Sequence, residues 1–295
     1  MWKTVFWIGL RFLKRLIVNA DDFGRHELIN KAVEQAVEKG ILRSATLMPG
    51  AKAFDSAVEI GKSHPQLGVG IHFTLVNGYP VLPPSEIPSL VTEEGVFVED
   101  HTAFVKKLVS GHVNMQEVRA ELSAQLRKMQ NTGLHLTHVD SHQHMHTLPG
   151  VINVVLDLAK EAGIRAVRIP KAPLFSGEFG GIGQLIGRVG LGTLAMIAGG
   201  KAKSRNIAFP DYFAGIVAGE AVSEDNLLGV IKSLKPGTTE VMMHPGTDNK
   251  QLIPDTGWDH DFEAEFCAMI SPAVMELIEA REVEITNFRS LGTEN

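Results

Sequence analysis

The most informative segment of the chain is Leu16-Ile17-Val18-Asn19-Ala20-Asp21-Asp22-Phe23-Gly24. Its apolar half is rich in β-branched residues, which favour a buried strand. Aspartate and glycine are poor strand residues, so the strand is expected to end at the two carboxylates. At the rim of a sheet, two adjacent acids can take separate roles, one holding a metal ion and one handling a proton. Alone, such a pair is equally typical of a turn or a helix cap.

Short apolar runs and helical patterns alternate along the rest of the chain. Strands are predicted at 15–20, 44–49, 67–73, 136–140, 166–170, 207–213, 240–244 and 283–286. Helices are predicted at 28–40, 53–62, 148–162, 224–234 and 262–280, and after Asn114, where Glu117 completes a capping-box spacing. Such alternation implies parallel strands joined by right-handed crossovers.

Repeated strand–helix units in 295 residues predict an α/β fold, a (β/α) barrel that is TIM-like and irregular. An open doubly wound sheet is the alternative, but no Gly-x-Gly-x-x-Gly sequence opens a helix. In a barrel, active-site residues lie at the C-terminal ends of different strands. The residues predicted at such ends are Asp21, Asp22, His72, Asp140, His142, Arg168, Asp211 and His244.

The expected organisation is a single barrel domain over residues 14–290, preceded by an N-terminal extension of residues 1–13. This extension mixes apolar and basic side chains and is too short to span a bilayer. We expect it to pack on the domain or to lie in a membrane interface. Two insertions are expected, at about 77–99 and 174–206. The first is a proline-rich rim loop; the second is an apolar helix that covers the barrel or forms a lid.

Composition excludes several classes of protein. The formal net charge of -6 argues against a nucleic-acid binder. A single cysteine rules out an intrachain disulfide and a cysteine-rich metal site. It also fits a reducing compartment, so the expected location is the cytoplasm, with peripheral contact at the inner membrane as a second expectation.

Histidines are concentrated in Asp140-Ser141-His142-Gln143-His144-Met145-His146. In an extended chain, alternate residues share a face, so several imidazoles would point into one pocket. Together with Asp22 and His72 from other strands, this run predicts a metal site. An Asp/His/His set with an open position suits a divalent ion such as Zn²⁺. With the ion held by Asp22, the adjacent Asp21 is free to act as a general base.

Two further residues are candidates for catalysis. His244, in His244-Pro245-Gly246, is placed to protonate a leaving amine or to support an oxyanion; a loop histidine bonded to the backbone is the alternative. Arg168 is a charge inside an apolar strand and needs a buried partner. The predicted partner is a catalytic carboxylate, which Arg168 would orient.

Four motifs, in order, resemble the YdjC-like carbohydrate deacetylases, a family that includes chitooligosaccharide deacetylase. They are Asn-Ala-Asp-Asp-Phe-Gly at 19–24, Gly-Ile-His-Phe-Thr-Leu at 70–75, the histidine run at 140–146 and His-Pro-Gly at 244–246. The likeness extends from about residue 14 to 288. Within the family, 76–84 and 165–170 look most like the hopanoid-biosynthesis branch, HpnK.

The resemblance implies a (β/α)-barrel-like fold and one divalent ion, Mg²⁺ or Zn²⁺. The ligands it implies are Asp22, His72 and His142. It also implies Asp21 as the base, while His144 or His146 is a substitute for His142 or a supporting partner. The extension before Lys14 departs from the usual start of the family.

The predicted activity is metal-dependent hydrolysis of the N-acetyl amide of an N-acetylglucosamine-type sugar. Asp21 would deprotonate the attacking water and His244 would protonate the amine. The likeness to HpnK implies a sugar carried by a hopanoid lipid, which would match the apolar extension. The alternatives are a chitooligosaccharide deacetylase on soluble sugars, a metal-dependent phosphoesterase, and a non-catalytic sugar- or lipid-binding barrel. Peripheral membrane contact and a homodimer are left open.

Overall fold

The computed structural model describes residues 13–171, 182–215 and 221–292. Within these ranges, ten α-helices accompany seven parallel strands. The strands are β1 (Lys14–Phe23), β2 (Ser44–Leu47), β3 (Gly68–Phe73), β4 (Val139–Ser141), β5 (Tyr212–Ala214), β6 (Gly237–Met243) and β7 (Glu284–Ile285). The helices are α1 (Glu27–Lys39), α2 (Phe54–Ser63), α3 (His101–Val109), α4 (Met115–Gln130), α5 (Val151–Glu161), α6 (Ile182–Ser204), α7 (Glu224–Ser233), α8 (Asn249–Thr256), α9 (Phe262–Met269) and α10 (Pro272–Ala280).

The strands form one curled sheet in the order β4-β3-β2-β1-β6-β5, and β7 pairs with the first residues of β1. Single parallel bridges continue the pairing beyond β4. Val139 bridges Val167, and Ala166 bridges Ala208, which shortly precedes β5. The fold is therefore an irregular (β/α) barrel, as the sequence predicts, and among the described residues two single bridges link the β4 and β5 edges.

Strand β1 is the centre of the sheet, and its residues from Leu16 onward are buried. It pairs with β6 over its first seven residues and with β2 near its C-terminal end. The register shifts between Ala20 and Phe23, and Asp22 has a φ of 59°. A positive φ is uncommon for a residue other than glycine. The strand is thus irregular at the two aspartates.

The predicted strands over 166–170 and 207–213 are among those that are shorter in the structure than the sequence predicts. Residues 166–168 make only single bridges, and the predicted strand over 207–213 becomes β5, which starts at Tyr212. Pro210 cannot donate to a sheet ladder, which accounts for the break before β5. Asp211 consequently precedes β5 and accepts a hydrogen bond from Thr238 N at the start of β6 (2.9 Å). Its expected position at the C-terminal rim was wrong.

The predicted helix over 262–280 is two helices. Ser271 caps α10 through Val274 N, and Pro272 is its first residue. Proline is favoured at this position and cannot lie inside a helix without breaking it, so α9 ends at Met269.

Two predicted features, the N-terminal extension and the second insertion, lie partly outside the described residues. The parts outside are residues 1–12 of the extension and residues 174–181 of the second insertion. In the described part of that insertion, α6 packs through Ala195, Ala198 and Ala202, which are buried. None of the helices in the described ranges is both long enough and apolar enough to cross a membrane.

Candidate active site

Three side chains from separate strands meet at the C-terminal rim of the sheet. Asp22 lies near the end of β1, His72 lies on β3, and His142 follows β4 directly. Asp22 Oδ1 is 2.8 Å from His142 Nδ1 and 3.3 Å from His72 Nε2. All three side chains are buried. The structure therefore brings together the three residues that the sequence singles out as ligands.

The chemistry of this cluster fits a divalent metal ion. One carboxylate oxygen and two imidazole nitrogens lie within 4.8 Å of one another. Among the described residues, buried Asp22 Oδ1 has no hydrogen-bond partner, because its close nitrogen contacts lack hydrogen-bond geometry. A buried oxygen without a donor is costly unless a cation satisfies it. An Asp/His/His set leaves coordination positions open, as catalytic zinc sites do.

The protonation states of Asp22 and His142 suit a metal. Burial raises the pKa of the Asp22 carboxyl, but the facing His142 and His72 outweigh this and hold that pKa well below its usual range. Burial lowers the pKa of His142 below its ordinary value, although Asp22 opposes the shift. A carboxylate and a neutral imidazole are the forms that bind metal.

Asp140 fixes the orientation of His72. Its Oδ1 accepts a hydrogen bond from His72 Nδ1 (2.6 Å), which leaves Nε2 directed at Asp22. Burial lowers the pKa of His72, but the Asp140 charge reverses this and raises that pKa to about 10, so an ion bound at Nε2 would displace a proton from the ring. A carboxylate behind the ligating histidine is the usual support in metal sites, since it fixes the tautomer and the ring.

The histidine run is not extended, so the expectation that its imidazoles share one face was wrong. Strand β4 ends at Ser141, and residues His142–Thr147 form a 3₁₀ turn in which Gln143 and His144 have positive φ. His146 Nδ1 contacts Ser141 Oγ (2.6 Å), and its Nε2 donates to the Arg168 carbonyl oxygen (2.9 Å). With both ring nitrogens engaged, His146 supports the turn.

His144 points elsewhere than His142. Its ring lies edge-on to Phe213, with 5.9 Å between centroids, and edge-on to His146 at 6.3 Å. Among the described residues it is not part of the cluster around Asp22. Burial lowers its pKa well below the ordinary value. The structure therefore favours His142 as the imidazole of this run that faces the cluster.

Arg168 lies at the centre of a second, fully buried network. Its two terminal nitrogens each donate to one oxygen of Asp21 (2.6 Å), a bidentate pair, and its Nε donates to Glu240 (2.6 Å). Nη1 is also 2.7 Å from Asp140 Oδ2. One guanidinium thus connects Asp21 with the carboxylate that orients His72. A carboxylate is the partner that the sequence predicts for Arg168.

Asp21 is held rigidly and is ionised. Asn19 Nδ2 donates to Asp21 Oδ1 (2.8 Å), in addition to the Arg168 pair. Burial raises the pKa of Asp21, but the Arg168 charge overcomes this and leaves the pKa below its ordinary value. Asp21 Oδ2 lies 4.0 Å from His72 Nε2 and 4.0 Å from His244 Nε2. It therefore lies between the cluster of Asp22, His72 and His142 and the ring of His244.

His244 follows β6 and lies among aromatic rings. Its imidazole is edge-on to Trp258 (4.9 Å between centroids) and to His260 (5.6 Å). Its backbone amide donates to the buried carboxylate of Glu265, which lies on α9. His244 is thus fixed in both backbone and ring, with Nε2 on the side of Asp21.

Sequence reasoning missed Glu240 and Arg25. Glu240 is a charge inside apolar β6, the same signal that identified Arg168, and its burial raises its pKa to about 7. Arg25 follows the motif at 19–24 and contacts Asp22 Oδ2 (3.5 Å) and His142 Nε2 (3.4 Å). Its position one residue after that motif was the only available signal.

Comparison with known proteins shows similarity along almost the whole chain. Residues 15–280 match the family model described as YdjC-like protein. A carbohydrate deacetylase from Geobacillus stearothermophilus is 30% identical over 274 residues, which cover 92% of this chain and 96% of that relative. A carbohydrate deacetylase from Mus musculus is 32% identical over 250 residues, covering 79% and 78% respectively. A structure from Enterococcus faecalis V583, to which a cellobiose-phosphate cleavage role is ascribed, matches with a TM-score of 0.72 and 25% identity over 94% of this chain and 98% of that one.

Proposed function

The chain belongs to the YdjC-like protein family, and we propose that it hydrolyses the N-acetyl group of an N-acetylglucosamine-type sugar in a metal-dependent reaction. The observation that carries the proposal is the pairing of two adjacent aspartates with different partners. Asp22 faces His72 and His142, whereas Asp21 is bound by Arg168. The relatives named carbohydrate deacetylase support the choice of reaction.

Asp22, His72 and His142 would hold a divalent ion, Zn²⁺ or Mg²⁺. Such an ion supplies a Lewis acid that polarises the acetyl carbonyl and lowers the pKa of water. Two imidazoles with one carboxylate favour Zn²⁺ over Mg²⁺, which prefers oxygen ligands.

Asp21 would take the proton from the attacking water. A general base must be ionised and within hydrogen-bond reach of the proton that it removes. The Arg168 charge keeps Asp21 ionised, and the bidentate pair fixes its direction. Arg168 therefore acts through Asp21 as a positioning residue.

His244 would donate a proton to the leaving amine. It lies 4.0 Å from Asp21 Oδ2, so the two side chains would face the same sugar amide, one as the base and the other as the acid. Protonation matters because a neutral amine leaves from a tetrahedral carbon far more easily than an amide anion does.

Acetate release from N-acetylglucosamine-type sugars, measured with and without a chelator, tests this function. We expect acetate from the metal-loaded protein, none after chelation, and recovery when Zn²⁺ or Mg²⁺ is added. Acetate release that a chelator leaves unchanged would contradict the metal assignment. A sugar carried by a hopanoid lipid and a soluble oligosaccharide are the two forms of substrate to compare.

A further inference from the structure

A second group of metal-ligand side chains lies next to the first. It consists of His244 after β6, His260 just before α9, and Glu265 on α9, and we call it the second cluster. One donor atom from each of these side chains lies within 4.8 Å of the other two. Asp21 Oδ2 is 4.0 Å from His244 Nε2 and 4.0 Å from His72 Nε2. Asp21 therefore lies between the second cluster and the first.

The surrounding structure holds the second cluster in place. Glu265 Oε2 accepts a hydrogen bond from His244 N, which joins α9 to the loop after β6. The ring of His260 stacks on Trp258, with 3.8 Å between centroids and 20° between planes, and lies edge-on to Phe262 at 4.9 Å. The three side chains thus have a fixed relative arrangement.

The ring nitrogens of His260 indicate that this cluster binds a ligand. His260 is 5% exposed, and within the described part of the chain neither nitrogen has a hydrogen-bond partner. Nε2 lies 3.2 Å from Glu265 Oε1, but outside hydrogen-bond geometry. A buried polar atom without a partner is costly unless an ion or a ligand satisfies it. A cation between this nitrogen and the carboxylate would satisfy both.

The donor set selects the kind of cation. Two imidazoles and one carboxylate suit Zn²⁺, whereas Mg²⁺ prefers oxygen ligands. Binding should be weaker than at the first cluster, because Glu265 Oε1 also accepts from Val222 N (2.8 Å). Asp22 Oδ1, by contrast, has no donor among the described residues. Protein purified without added Zn²⁺ is therefore expected to keep only the tightly bound ion of the first cluster.

We propose that His244, His260 and Glu265 form a second Zn²⁺ site, and that zinc bound there inhibits the enzyme. An imidazole that is bound to zinc cannot become an imidazolium, which is the form that would give the leaving amine its proton. The inhibition rests on the proposed deacetylation with His244 as the acid, whereas the site itself does not. Activity should therefore rise with the first equivalent of Zn²⁺ and fall as the second ion binds.

Zinc titration of the metal-free protein in competition with a chromogenic chelator counts the ions. We expect two Zn²⁺ per chain in the wild type and one in His260→Phe, which keeps a flat ring against Trp258 and removes both nitrogens. This variant should bind its remaining ion with wild-type affinity, which also shows that it folds. His112→Ala removes an exposed histidine outside both clusters and should bind two ions, as the matched control.

A second measurement needs no variant. Anomalous scattering at the zinc edge, from wild-type crystals grown with excess Zn²⁺, should give a peak among His244, His260 and Glu265. The absence of this peak would overturn the site. A single ion in the wild type, or two ions in His260→Phe, would overturn it as well.

Acetate release as a function of free Zn²⁺ tests the inhibition. At about ten times the dissociation constant of the second ion, the wild-type rate should be about tenfold lower than with one equivalent, and that of His260→Phe should change by less than about twofold. No fall in the wild type, or an equal fall in the two proteins, would contradict inhibition through the second cluster. If the wild type released no acetate at any Zn²⁺ concentration, the proposed deacetylation would be contradicted, while the ion count would still decide the second site.

Discussion

Asp21 and Asp22 are neighbours in the chain with opposite surroundings. Asp21 accepts two hydrogen bonds from Arg168 and one from Asn19. Asp22 directs Oδ1 at the imidazoles of His72 and His142, and within the described part of the chain that oxygen lacks a hydrogen-bond partner. The first carboxylate is held by three donors and keeps an acceptor position on Oδ2, whereas the second is available to a cation.

The backbone explains how both acids serve one site. In a regular strand, successive side chains point to opposite faces. Here the positive φ of Asp22 and the register shift after Ala20 interrupt the alternation. As a result, Asp21 and Asp22 both lie near His72 Nε2, at 4.0 and 3.3 Å. One irregular residue at a strand end would thus let a short motif supply both the proposed base and the proposed cation ligand.

The largest expected effect is the loss of activity when Asp21 is replaced. Asp21→Asn keeps the size of the side chain and removes its basicity, so kcat for acetate release should fall by about 10²–10⁴. The exposed Asp55→Asn on α2 is the matched control and should retain full activity. Activity of Asp21→Asn within about twofold of the wild type would remove Asp21 from the role of base.

A smaller effect, on metal affinity, is expected when Asp140, the hydrogen-bond partner of His72, is replaced. Asp140→Asn replaces the carboxylate that orients His72 with a neutral amide. Loss of such a carboxylate typically lowers metal affinity about 10–100-fold. Competition with a chromogenic chelator measures this affinity. Asp157→Asn, which breaks a surface pair with Arg205, is the control. Equal affinities in all three proteins would show that Asp140 does not support a ligand.

The smallest expected effect is on the stability of the protein, and it concerns Glu240, which shares Arg168 with Asp21. Burial raises the pKa of Glu240 from 4.5 to about 7, so between these values the folded protein holds a proton that the unfolded chain has lost. The free energy of unfolding should therefore fall as pH rises from about 4.5 to 7, by at most about 2–3 kcal/mol. Glu240→Gln should remove this part of the pH dependence.

Urea unfolding of the wild-type protein and Glu240→Gln at pH 5, 6 and 7 measures the difference. Glutamine can still accept from Arg168 Nε, so the variant isolates the ionisation of the side chain. Parallel pH profiles for the two proteins would show that Glu240 has an ordinary pKa in the folded state.

The sequence allowed the barrel and the convergence at its rim to be predicted because both depend on local patterns. Apolar runs that stop at Asp21, His72 and Asp140 identify the strand ends, and parallel strands bring such ends to one edge. A charge inside an apolar strand identified Arg168, and the same argument applies to Glu240.

The parts that could not be predicted depend on backbone dihedrals and tertiary contacts. Positive φ at Gln143 and His144 converts the histidine run from strand to turn, and residue type alone does not indicate this. The contact of Arg25 with His142 joins residues 117 positions apart. Sequence patterns carry no signal for such a pair.

The division of labour between the two aspartates is tested most directly by the metal content of Asp21→Asn and Asp22→Asn, purified in parallel from zinc-supplemented medium. We expect Asp21→Asn to retain its ion while losing acetate release, and Asp22→Asn to lose the ion. Loss of the ion from Asp21→Asn, or its retention at wild-type affinity in Asp22→Asn, would contradict this division of labour.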